Sequence, residues 1–192
     1  VIDTVTINPI GGTTANFAFD AITYDLEDIG EHTYTYKVKE QTGDLEGMTY
    51  DTAVHTVTVT VTDAGDGTLK IEASQDPTKL NFTNTYAAEG SVQFGGTKTL
   101  TGKALAAGEF TFVLLDEAGN VIERVTNDAN GSFAFSAIAY DLDDAGENYT
   151  YTVKEAAGNN AGITYDEKVY TVTVEVADNG DGTLTATASE NA

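Results

Sequence analysis

Tyr34-Thr-Tyr-Lys-Val-Lys-Glu40 is answered by Tyr149-Thr-Tyr-Thr-Val-Lys-Glu155, a shift of 115 positions (155 − 40). Self-similarity over such a period constrains a fold strongly, because each copy has to build the same unit. The same shift carries Tyr50-Asp51 onto Tyr165-Asp166, Val57–Val61 onto Val172–Val176, and Asp66-Gly-Thr-Leu69 onto Asp181-Gly-Thr-Leu184. Upstream, Phe17-Ala-Phe19 and Tyr24-Asp-Leu26 map onto Phe133-Ala-Phe135 and Tyr140-Asp-Leu142 with one extra residue of shift. Residues 87–120 have no earlier counterpart and residues 75–86 no later one. Both copies therefore read as incomplete, the back of one module followed by the front of the next.

Most segments alternate β-branched or aromatic residues with polar ones, between Gly, Asn and Asp turns, which is the pattern of half-buried strands. Asp66-Gly67, Asn130-Gly131 and Asp181-Gly182 are expected to close hairpins. Only Asp25–Ile29 and Asp141–Ala145 read as helical turns. The expected fold is all-β, two tandem Ig-like β-sandwich modules. Residues 1–86 form the C-terminal part of one repeat and 87–90 a short linker. Residues 91–192 form the N-terminal and middle part of the next, lacking its last strand.

Side chains alternate between the faces of a strand, and this exposes polar residues on apolar rows. Glu40 follows Tyr34, Tyr36 and Val38, and Glu155 follows Tyr149, Tyr151 and Val153. Lys98 shares a face with Val92, Phe94 and Leu100. Asn84 shares one with Leu80, Phe82 and Tyr86. An unpaired buried charge is costly and finds a partner or neutralises. One Lys, one Glu and one Asn type aimed inward point to a shared site. Apolar surroundings favour a neutral amine and a neutral carboxyl, and a neutral amine is a nucleophile. A protonated carboxyl bonded to the asparagine amide would polarise its carbonyl and supply the proton that departing ammonia takes. The product would be a Lys–Asn isopeptide bond. The plainer reading stays open beside it: strand-end Glu or Lys turned to solvent, and Asn capping a turn.

Lys98-Thr-Leu-Thr-Gly102, Gly108-Glu-Phe-Thr-Phe112, Tyr149–Glu155 and Asp178-Asn-Gly-Asp-Gly-Thr-Leu184 resemble the isopeptide-linkage domain of Gram-positive surface pilins. Phe82-Thr-Asn-Thr-Tyr86 resembles that domain's closing strand. The resemblance implies Lys98 as nucleophile, Asn84 as acceptor, and Glu40 and Glu155 as the carboxyls promoting the bond. In that family a first-strand Lys joins a last-strand Asn of the same domain. Lys98 opens the second copy and Asn84 closes the first, so they are not expected to pair with each other, and each half-site looks for a partner outside this chain. Three arrangements are open: a fragment, a filament read in an arbitrary register, or strand complementation by a neighbouring copy.

Composition narrows the function further. A formal charge of −22 repels nucleic acid and anionic membranes, and no apolar run is long enough to span a bilayer. The start does not read as a signal peptide, so the segment is taken as mature or excised. Zero cysteines leave no disulfide framework, for which a self-made cross-link would substitute. Asp63–Gly67 and Asp178–Gly182 lack the spacing and distal Glu of a calcium loop, and His32 and His55 fit no triad or metal spacing. No cofactor or metal and no turnover enzyme are expected. The leading expectation is an extracellular pilus, fibre or adhesin stalk at the cell surface or cell wall. The alternative is an adhesin binding a host protein or glycan through loops such as Gln41–Gly47 and Ala156–Gly162.

Overall fold

A computed structural model describes residues 1–7, 13–30 and 33–190. Strands dominate it, and the regular non-strand elements among the described residues are two short 3-10 turns, Leu26–Asp28 and Leu142–Asp144. Both begin on an aspartate, Asp25 or Asp141, in a reciprocal capping box, as the two helical-turn stretches of sequence lead one to expect. Two compact units emerge: residues 1–43 with 50–84, and residues 44–49 with 85–192.

In the second unit a five-stranded antiparallel sheet runs in the order Leu184–Glu190, Val169–Asp178, Asn148–Glu155, Thr111–Leu115, Val121–Thr126. Smaller antiparallel ladders accompany it, among them Ile138–Asp141 with Glu89–Val92 and Ser132–Ala134 with Gly95–Thr97. Their neighbours Phe94, Phe135 and Tyr140 pack into one core with Phe112, Leu114, Tyr151, Val174 and Val176 of the large sheet. This is the β-sandwich expected from alternating strands.

Two local expectations need correction. Asn130-Gly131 does not close a hairpin, because Ser132–Ala134 leaves the Val121–Thr126 strand and pairs with Gly95–Thr97 instead. The turn carries the chain from one sheet to the other. The stretch 92–100 is also not one strand but is interrupted after Val92 and resumes at Gly95. Gly95 and Gly96 run so close to the Ser132–Ala134 strand that a Cβ on either would lie 2.7 Å from Phe133 O or 2.8 Å from the Phe133 ring. Face parity survives the break: Val92, Phe94, Lys98 and Leu100 all turn inward to some degree.

In the first unit Thr33–Lys39, Val54–Asp63 and Leu69–Ala73 form a three-stranded antiparallel sheet. Its core is Val57, Val59, Val61 and Leu80, with Tyr34, Tyr36, Val38 and Phe82 partly buried against it. Equivalent residues fare differently in the two units: Phe135 is 1% exposed and Phe19 41%.

Candidate functional site

The Asn148–Glu155 strand lies between Val169–Asp178 and Thr111–Leu115. Alternation turns Tyr151 and Glu155 toward the core, with Glu155 opposite Phe112 in the ladder. The Lys98 ammonium meets this carboxylate, Nζ donating to Oε2 at 2.6 Å, with the lysine side chain 12% and the glutamate side chain 4% exposed. The same Nζ stands 4.3 Å from the centroid of the Phe110 ring, a cation–π contact that holds the amine against an apolar wall. Lys98 is anchored through its backbone, its N–H donating to the Gly131 carbonyl at 2.7 Å. The other carboxylate oxygen, Glu155 Oε1, is buried and without a hydrogen-bond partner.

The first unit holds the complementary arrangement. Asn84 Nδ2 donates to Glu40 Oε1 at 2.6 Å, and Glu40 Oε2 is buried and unpartnered. The amide's orientation follows from its other end, where Oδ1 accepts the backbone N–H of Asp51 at 2.8 Å. Asp51 grips the same segment with its side chain, Oδ2 accepting from Thr83 N and Oδ1 from Ala53 N. These bonds from the Ala53 and Thr83 amides hold the Asp51 carboxyl below its ordinary value.

The four residues singled out in sequence thus fall into two pairs, Lys98 with Glu155 and Asn84 with Glu40; the lysine and the asparagine belong to different units. In each pair the glutamate presents one used and one orphaned oxygen. Oε2 takes the amine where the amine is present, and Oε1 takes the amide where the amide is present.

The geometry also differs from the expected chemistry. The glutamate faces the amide nitrogen, the group that would leave, while the carbonyl is polarised by the Asp51 N–H. Sequence reading missed Asp51 in this role because the contact is made by its backbone. The repeated Tyr50-Asp51 and Tyr165-Asp166 was the available signal, and Asp166 builds the same local turn, accepting from Lys168 N at 2.9 Å as Asp51 accepts from Ala53 N. Asn127 was also missed. Only 2% exposed, it accepts from Phe110 N and donates to the carbonyls of Ala106 and Asp128, fixing the aromatic wall beneath Lys98. Asn84 itself is exposed, although its amide reaches a buried carboxyl.

The remaining sequence candidates have local roles. His32 lies outside the described residues. His55 Nε2 bonds with Asn81 O at 3.0 Å and its ring meets Phe82 edge-on. Asp63 and Asp66 spend a carboxylate oxygen each on amides of their own turn, and among the described residues no three His, Cys, Asp or Glu gather as a metal site. No described helix is long and apolar enough to cross a membrane.

A family model described as FctA, Spy0128-like isopeptide containing domain, matches residues 2–87 and 94–192. No curated protein matches the chain.

Proposed function

Since the chain belongs to the FctA family of Spy0128-like isopeptide-containing domains, we propose that it is a shaft or stalk segment of a surface pilus or fibre whose modules cross-link themselves by Lys–Asn isopeptide bonds. The observation that carries this reading is the pair of buried, unpartnered oxygens, Glu155 Oε1 and Glu40 Oε2. A buried carboxylate oxygen without a donor is costly, and a module holding lysine and asparagine together would give both oxygens of its glutamate a partner.

In such a module the Lys98 ammonium passes a proton to Glu155 across their short contact. The freed lone pair attacks the side-chain carbonyl carbon of the acceptor asparagine, whose oxygen is polarised as Asn84 Oδ1 is by the Asp51 N–H. A C–N bond forms to Nζ and the C–Nδ2 bond breaks. The carboxyl returns its proton to the departing nitrogen and relays the second amine proton, so that ammonium leaves and the carboxylate is restored. In the first unit Glu40 and Asn84 have the corresponding roles, with the lysine supplied by another stretch of the array or by a neighbouring copy through strand complementation.

A bond between the first and last strands carries tension past the intervening ones, and closes a long loop in the unfolded chain as a disulfide does. That suits a surface-displayed chain with no cysteines. The deciding measurement is the intact mass of an array extended to whole repeats. One ammonia is expected to be lost per module, and Glu155→Ala to retain it in the module that carries the change. Full mass in the parent array, or ammonia still lost in Glu155→Ala, overturns the proposal. The present chain by itself is expected to keep its full mass, because Lys98 and Asn84 belong to different units.

A further inference from the structure

The second unit contains a loop that the repeat assigns to the first copy, Asp44–Thr49. Its strand Met48–Thr49 pairs with Thr85–Tyr86, and Ala87 N donates to Gly47 O at 2.9 Å. This loop and Tyr86 together sit on the Asp178–Thr183 turn. Tyr86 Oη donates to Asp178 Oδ1 at 2.8 Å and accepts the Gly182 N–H at 3.0 Å. Glu89 N donates to Gly182 O at 3.2 Å. Gly47 and Gly182 meet backbone to backbone: a Cβ on Gly47 would lie 2.5 Å from Gly182 Cα, and one on Gly182 2.7 Å from Gly47 Cα. No side chain fits at either position.

The repeat supplies an internal comparison. Asp63–Thr68 is the same turn in the first copy, with Asp63 bonded to Gly65 N at 2.8 Å and Asp66 to Thr68 N at 3.0 Å. Asp178 and Asp181 make the matching bonds at 2.9 and 3.1 Å. Gly67 and Gly182 have nearly the same φ, +85° and +81°, yet a Cβ on Gly67 would meet nothing within 4 Å. The turn is therefore built alike in the copy where it is covered and in the copy where space around its glycine is open.

We propose that the Asp178–Thr183 turn is a self-recognition surface of the module, specific for the glycine loop and closing-strand tyrosine of the preceding copy. Two glycines supply the close approach, which any residue with a Cβ would block. The tyrosine hydroxyl supplies register by bridging the Asp178 carboxylate and the Gly182 amide. The surface recognises another copy of the module rather than a foreign ligand, and its operation does not depend on the isopeptide bond.

Hydrogen exchange on the full chain tests this, with Gly182→Ala compared against Gly67→Ala. Both place alanine at the same left-handed φ in the same turn, so strain is matched and only docking differs. Gly182→Ala is expected to speed exchange at Met48, Ala87 and Glu89 by at least about tenfold over Gly67→Ala, the scale of one lost hydrogen bond. Equal protection of these amides in the two variants overturns the proposal. Tyr86→Phe, which keeps the ring, covers the case in which Gly182→Ala misfolds. It is expected to deprotect Gly182 while leaving the amides of Asn148–Glu155 unchanged. Undiminished protection at Gly182 in that variant also overturns it.

Discussion

Gly131 decides where the Lys98 amine can be. Its φ is +90°, its carbonyl accepts the Lys98 N–H, and a Cβ there would lie 2.2 Å from Lys98 O. Alanine at this position adds left-handed strain and drives the Lys98 backbone from its seat. Gly119 has a similar φ of +84° with open space around it, so Gly119→Ala measures strain alone. Gly131→Ala is expected to lower the urea-unfolding stability of the second unit by roughly 1–3 kcal/mol more than Gly119→Ala, as a forced backbone shift does. In whole-repeat arrays it should also reduce cross-link yield, although Lys98 and Glu155 are retained. A matching stability loss in the two variants would remove Gly131 from this role. The glutamates were legible in sequence because strand alternation is strict enough to mark Glu40 and Glu155 as inward. Gly131 was legible only as a turn residue, since its contact with Lys98 joins positions far apart in the chain.

The segment that carries Asn84 is held by side chains more than by a ladder. His55 grips Asn81, and Asp51 grips Thr83 and, through its backbone, Asn84 itself. Asp51 is a depressed carboxyl, lowered first by the Ala53 amide and then by the Thr83 amide. A group whose folded value lies below its unfolded one contributes fully above the unfolded value and loses that contribution as pH falls through the folded one. The Thr83 amide is therefore expected to keep its protection factor at neutral pH and lose it in acid, below the ordinary aspartate value of 3.8. The central amides of Val54–Asp63 should hold over the same range. Amide exchange against pH checks this, and a flat Thr83 profile through the acid range would exclude Asp51 as the clamp. The equivalent Asp166 of the second copy keeps the local part of this arrangement, accepting from Lys168 N. Sequence repetition marked the pair without showing that one of its bonds is a backbone N–H on the acceptor carbonyl.

The two units differ in how much core they close. Among the described residues eleven buried ones form the core cluster of the second unit and four that of the first, so the described part of the first has far less apolar surface removed from water to offset chain entropy. Calorimetry is expected to show two transitions, with exchange in Thr33–Lys39 becoming global at lower temperature than in Asn148–Glu155. A single transition with both strands exchanging together would contradict it. Strand type, repeat period and the inward glutamates came from alternation and self-similarity, which are local properties and survive in any all-β packing. That Lys98 and Asn84 fall into separate half-sites was already legible in the repeat; the break after Val92, the departure of Ser132–Ala134 from its expected hairpin, and the Asp51 N–H on the Asn84 carbonyl were decided by tertiary structure. Each depends on which strand becomes a neighbour, and that is set by the volume left for Phe133 beside Gly95-Gly96 and by backbone donors such as Asp51 N–H. Residue pattern alone encodes neither.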